Sequence, residues 1–273
     1  MSRDALVTYH REGYLATITL NRPEKKNAMS LALWKDLAMA VSAADQDDLA
    51  RVVLVRGAGS TFSAGLDVSP ENEVAQLIAA APSADQKVKF YQVVRQVQDI
   101  YSGLEALRQP TVALIQGFCL GAALELVACC DIRLCSEDAT FGLPEARLAI
   151  ITDLGGLQRL QALVLPGKVR EMAFRGHRFG AAEAKDMGLV NQVCGTQEEL
   201  IRQGQAMAEE IAGNPPLAVQ GAKEVLRYSQ SVPLHQALAY NAARSAMILP
   251  SEDMTEAMSA LFDKTKKPEY KGK

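Results

Sequence analysis

Two short turns built from small residues and three carboxylates hold most of the chemistry this sequence can offer. The turn Ser63-Ala64-Gly65-Leu66-Asp67 and the segment from Gly117 to Ala122 each follow an apolar run, and each lets a backbone N–H point outward with no bulky side chain in the way. Two such N–H groups would form an oxyanion hole. A helix expected to open at Ala122 adds the positive end of its dipole, which favours a developing enolate. The same small residues would equally allow close helix packing and nothing more.

Glu125 lies three residues beyond Ala122, about one turn further along the apolar stretch LGAALELVACC. Burial there would raise its pKa toward the range useful for general acid–base work, unless an arginine such as Arg133 or Arg159 pairs with it. Glu145 follows Pro144 at an expected helix start, where an acid is also a favourable first-turn residue. Asp153, in IITDLGGLQRL, fits either an inward-facing acid or a cap for the helix after Gly155 and Gly156.

Other chemistries lack their residues. The sequence contains no G-x-S-x-G, H-E-x-x-H or G-x-x-x-x-G-K-[ST], and no G-x-G-x-x-G opens a helix, so hydrolase, zincin, P-loop and nicotinamide readings have no support. Cys119, Cys129, Cys130, Cys135 and Cys194 form no paired C-x-x-C array and read as buried free thiols. His10, His177 and His235 are far apart, so no metal site is expected. A formal charge of -3 and a pI near 5.7 argue against a nucleic-acid partner. The first residues lack a signal-peptide apolar region, and no later run approaches the roughly 20 apolar residues that span a bilayer, so a cytoplasmic protein without membrane contact is expected.

The elements that must position these residues alternate. Residues 14–21 and 51–59 read as strands, with a helix between them behind a serine cap at Ser30. The polar, alanine-rich stretch 69–87 reads as a mobile insertion, with helix resuming at about Lys89 and ending at Pro110 before the apolar strand 111–117. A turn and a small-residue helix follow, then a short strand pair within residues 131–142. Past Leu160 nearly everything reads as helix, punctuated by Gly and Pro. The fold class is α/β with a largely parallel sheet. An α/β core over residues 1–195 precedes a helical region over 196–273, and no linker or repeat divides the chain into independently folding domains.

The order SAGLDV, GFCLGAALELVACCDIRLCSEDATFGLPEARLAI and GGLQRL resembles the crotonase superfamily. LNRPEKKNAMS, GHRFGAAEAKDMGLVNQV and MSALFDKTKKPEY extend the likeness over nearly the whole chain. The resemblance implies a spiral core of β-β-α repeats and a helical C-terminal region that builds homotrimers or dimers of trimers. It implies that the N–H groups of Leu66 and Ala122 bind a thioester oxygen. The segments at Asn27 and Ala28 and at Ala64 to Asp67 would hold the adenine end of coenzyme A, with Lys25, Lys26 and Lys264 on its phosphates. The partner would be an acyl-CoA thioester, with no cofactor beyond the coenzyme A that is part of the substrate.

Within that family, enoyl-CoA hydratases hold water with two glutamates, and Glu125 and Glu145 fall at the matching positions. Hydratases carry a small residue where this chain has Asp153, whereas dienoyl-CoA isomerases resemble it in placing an aspartate eight residues after the second carboxylate, the spacing from Glu145 to Asp153. The resemblance thus implies isomerisation of 3,5-dienoyl-CoA to 2,4-dienoyl-CoA, with Asp153 as base and Glu145 as acid, and hydration of 2-enoyl-CoA as the alternative. Two departures stand out. Glu125 occupies a position where dienoyl isomerases usually carry aspartate, and Gly-Ala-Ala replaces a run of glycines, the added Cβ atoms narrowing the pocket. Some homologues serve instead as RNA-binding or scaffold proteins, a reading that predicts a basic surface and eroded carboxylates, whereas all three acids are present here.

Overall fold

The computed structural model describes residues 5–79, 83–263, 265 and 268–273. β1 (Val7–Glu12) and β2 (Leu15–Leu20) form an antiparallel hairpin. Then come α1 (Leu31–Gln46), β3 (Val52–Gly57), α2 (Glu73–Ala79), α3 (Ala84–Ala106), β4 (Thr111–Ile115), β5 (Phe118–Leu120) and α4 (Ala122–Val127). β6 (Ile132–Ser136) and β7 (Thr140–Gly142) lead to a 3-10 turn at Pro144–Leu148. The remainder is α5 (Gly156–Leu163), α6 (Pro166–Arg175), β8 (Arg178–Gly180), α7 (Ala181–Asp186), β9 (Gln192–Cys194), α8 (Gln197–Ala212), α9 (Pro216–Ser229), α10 (Leu234–Ile248) and α11 (Glu252–Phe262).

Six strands make the main sheet, in the order β1-β2-β3-β4-β6-β9, parallel throughout except for the opening hairpin. A smaller sheet orders β5-β7-β8. The parallel strands are buried on both faces, as crossover helices require. With a period of two, Val53, Val55, Ala113 and Ile115 face the large core with α1, α3 and α4. Val52, Leu54, Val112, Leu114 and Leu134 face the other way, onto Leu200, Ala208 and Ala212 of α8. Each of the valine, leucine and isoleucine side chains contributes about 1.5–3 kcal/mol when fully buried.

Several expectations meet the structure directly. The Ser30 hydroxyl accepts the Leu33 N–H at 3.3 Å at the start of α1, a cap of about 1 kcal/mol. The five cysteines are free and buried. Other expectations need correction. The stretch 69–87 is not an irregular insertion: it carries α2 and the first turn of α3, which opens at Ala84 behind a capping box formed by Ser83 and Gln86. The pattern S-x-x-Q was in the sequence, but the alanines around it hid the period. β6 and β7 do not pair with each other; they belong to different sheets. β1, β5, β8 and β9 were not anticipated, the last three because a strand of three residues is too short to display alternation.

β3 and β4 are adjacent and parallel, and the two small-residue turns leave from their C-terminal ends, where α/β sheets commonly bind ligands. The site is thus placed by strand order before any side chain is considered.

Candidate active site

The two turns run side by side. Ser63 and Cys119 form a parallel bridge, in which the Ser63 N–H donates to Phe118 O at 2.8 Å and the Leu120 N–H to Ser63 O at 3.3 Å. Gly65 has φ +87°, and a Cβ there would fall 2.4 Å from Leu120 O, so only glycine allows the chains to approach this closely. Gly121 is also left-handed in φ, at +52°, and it brings the chain into α4. Among the described residues, the backbone N–H groups of Leu66 and Ala122 donate to no protein acceptor. Both residues line one cavity of about 340 Å³. Behind them, the Ala122 carbonyl accepts a hydrogen bond at 2.9 Å from the hydroxyl of Tyr101, itself within 3.4 Å of Trp34 Nε1. That buried chain of polar groups fixes the first residue of α4.

Glu125, Glu145 and Asp153 all line the same cavity. Glu125 is 2% exposed, and its Oε2 accepts the N–H of Leu154 at 2.9 Å and of Gly156 at 2.7 Å. It therefore sits on the N-terminal end of α5, with backbone donors in place of a cation. The arginines that could have neutralised it are engaged elsewhere: Arg133 donates to the carbonyls of Leu189 and Cys130, and Arg159 pairs with Glu105 at 2.9 Å. Asp153 does not cap α5, whose N-cap is Gly155 without a side-chain bond. Thr152 Oγ1 donates to Oε2 of Glu145 at 3.2 Å.

The electrostatics follow from this crowding. Burial pushes the Glu125 carboxyl up to about 8; the Gly156 and Leu154 N–H groups oppose the rise, and the charges of Glu145 and Asp153 add to it. Burial also raises Glu145, partly offset by its own backbone N–H and by Thr152, with the Asp153 charge raising it further. Asp153 is raised by burial as well. Three acids in one apolar cavity do not all ionise together, so at least one proton is retained near neutral pH.

Most predicted site residues converge, but not all. Ala64 lines the cavity with Leu66 and Ala122. Lys25 and Lys26 lie on the exposed 3-10 turn beyond it, with Lys26 Nζ 5.4 Å from the centre of the Phe118 ring. Ala28 is half-buried, and its carbonyl accepts from Arg22. The Asp67 side chain is committed internally: it pairs with Arg22 at 2.6 Å. Burial pushes its carboxyl up, but hydrogen bonds from Ser69 and Arg22 outweigh that and hold it below its ordinary value. Neighbouring Asn27 braces the same loop, donating to the carbonyls of Ala58 and Thr61. Lys264 lies outside the described residues.

The structure adds lining residues that the sequence reading missed. Val74 and Ile78 of α2, Phe90, Val93, Val94 and Val97 of α3, and Leu148, Ile150 and Ile151 wall the cavity. Their signal was the apolar spacing in 90–97, read only as helix. Arg178 of β8 also lines the cavity, its guanidinium 5.2 Å from the Phe118 ring centre. Among the described residues no group of three or more His, Cys, Asp or Glu is placed to hold a metal ion.

The sequence model of the family described as enoyl-CoA hydratase/isomerase matches residues 10–273. The chain is 38% identical over 253 residues to the peroxisomal Delta(3,5)-Delta(2,4)-dienoyl-CoA isomerase of Arabidopsis thaliana, spanning 91% of this chain and 90% of that protein. It is 32% identical over 250 residues to the mitochondrial enzyme of the same name from Mus musculus, spanning 90% and 76%. Its fold superposes on the crystal structure of an enoyl-CoA hydratase from Bacillus anthracis with a TM-score of 0.88 and 32% identity, over 98% of this chain and 100% of that one.

Proposed function

Because the chain belongs to the enoyl-CoA hydratase/isomerase family, we propose that it isomerises 3,5-dienoyl-CoA to 2,4-dienoyl-CoA. The observation that carries this reading is Asp153. It shares one cavity with Glu125 and Glu145, and among the described residues neither an ion pair nor a helix cap accounts for it.

In this reading the thioester oxygen lies against the N–H groups of Leu66 and Ala122. Asp153 takes a proton from C2, and the electron pair of that C–H bond enters the conjugated system as an extended enolate. Glu145 gives a proton to C6, so that double bonds at C3 and C5 become double bonds at C2 and C4. One C–H bond breaks and another forms, and coenzyme A serves only as part of the substrate. The two donors stabilise the enolate oxygen as charge develops. The acids supply a base and an acid at separate points along the acyl chain. Glu125, braced at α5, shares the pocket with Glu145 and Asp153, whose charges raise its own carboxyl. Lys25 and Lys26 are assigned to the coenzyme phosphates.

A second reading rests on Glu125 itself. Glu125 and Glu145 in one cavity are the pair that would hold a water for hydration of a 2-enoyl-CoA. The two are separated by incubation with 3,5-octadienoyl-CoA and with crotonyl-CoA: a conjugated 2,4-diene from the first supports isomerisation, and loss of the crotonyl absorbance alone supports hydration.

The assembly proposed is a homotrimer or a dimer of trimers. Its support is the apolar surface of the C-terminal helices, where Leu226, Leu234, Leu238, Met247, Leu261 and Phe262 are exposed. The cytoplasm is kept as the proposed compartment, tested by fractionation of the source cells.

A further inference from the structure

We infer that Thr152 is a positioning residue for Glu145, its hydroxyl deciding which carboxyl oxygen carries the transferable proton. This rests on the reading of Glu145 as the acid. Thr152 is 7% exposed, and its Oγ1 lies 3.2 Å from Oε2 of Glu145. By donating there, the hydroxyl favours an unprotonated Oε2, which leaves the proton on Oε1. Oε1 is the oxygen turned toward Gly121, where an added Cβ would come within 2.5 Å of it. Gly121 directly precedes Ala122, so the proton-bearing oxygen lies beside the oxyanion turn.

The chain around Thr152 explains why one side chain can register the site. The Asp153 carbonyl accepts from Gln98 of α3 at 2.5 Å, and the N–H groups of Leu154 and Gly156 hold Glu125. One segment, residues 152–156, thus carries Asp153 and holds both glutamates, Glu125 through its backbone N–H groups and Glu145 through the Thr152 side chain. Glu145 lines the cavity together with Glu125 of α4, Asp153 and Arg178 of β8. α6, packed on its turn, carries Lys168, Arg170, Glu171 and Arg175, with Lys168 and Arg175 paired to Glu171. Arg147 of its own turn donates to the Arg175 carbonyl. Among the described residues, Thr152 is the side chain that donates to Glu145.

A packing role would depend on the methyl group and a positioning role on the hydroxyl, so Thr152→Val and Thr152→Ser separate them. The first readout is the titration of the Glu145 carboxyl carbon by NMR, assigned with Glu145→Gln; the second is kcat and KM with 3,5-octadienoyl-CoA. The valine variant should titrate at higher pH than the wild type, because the lost donor favoured the ionised form. Its kcat should fall about tenfold with KM within about twofold. The serine variant should match the wild type in both. A wild-type titration in the valine variant, or damage in the serine variant alone, would overturn the inference. If the valine variant does not fold, Thr152→Ala is compared with Thr152→Ser by the same titration, since the two differ by the hydroxyl alone. The titration needs no turnover, so a wild type that forms no conjugated diene would sink the isomerase reading while still judging Thr152.

Discussion

Glu125 is the residue whose setting is most unusual, and its consequences are measurable without substrate. A carboxylate in an apolar helix was visible in the sequence as an anomaly. Its solution was not, because the two N–H groups that hold it belong to residues 154 and 156, and nothing local announces a contact across that separation. Asp153 was legible only as one of two possibilities, and the geometry of α5 removes the capping one. With its folded-state pKa raised to about 8 from an ordinary 4.5, Glu125 binds its proton more tightly folded than unfolded. Stability is therefore fully present below the unfolded value and is lost as pH rises toward the folded one. Glu125→Gln keeps an acceptor for both N–H groups and removes this slope. Melting curves should place the variant a few degrees above the wild type at pH 9 and close to it at pH 5. Equal melting temperatures at both pH values would mean that the carboxyl ionises freely in the fold.

Elements were read well where their pattern was long and poorly where it was short. α1, with its serine cap, and the buried strands β3 and β4 follow from period and propensity alone. The wall made by α2 and α3 did not, because α2 has seven residues and alanines blur which face is apolar. Three-residue strands such as β8, which brings Arg178 to the cavity, are created by their neighbours in the sheet rather than by their own sequence. The two turns were legible as chemistry, and strand order explains why they meet. Gly65→Ala would force a side chain into a left-handed conformation at φ +87° and 2.4 Å from Leu120 O, a strain of about 1–3 kcal/mol. It should push the turns apart and lower kcat by about 10²-fold or more, the usual effect of losing one oxyanion donor. A variant that folds and keeps wild-type kcat would remove the Leu66 N–H from the mechanism.

At the scale of the whole molecule, the chain is a crotonase-fold enzyme whose C-terminal helices leave apolar side chains uncovered, Phe262 being 82% exposed. No helix among the described residues is long and apolar enough to cross a membrane. The proposed cover for the apolar side chains is a second copy of the chain. Sedimentation should give a mass three or six times that of the 29.5 kDa chain, and replacing Leu238 and Phe262 by serine should lower it. A monomeric wild type would refute the assembly. Proton transfer from C2 to C6 along the acyl chain is followed in the ultraviolet spectrum during turnover of 3,5-octadienoyl-CoA. The wild type should form conjugated 2,4-dienoyl-CoA, and Asp153→Asn should slow this by about 10²- to 10⁴-fold. Loss of crotonyl-CoA absorbance with no conjugated diene from the wild type would contradict that transfer, leaving a hydratase in which Asp153 takes no proton.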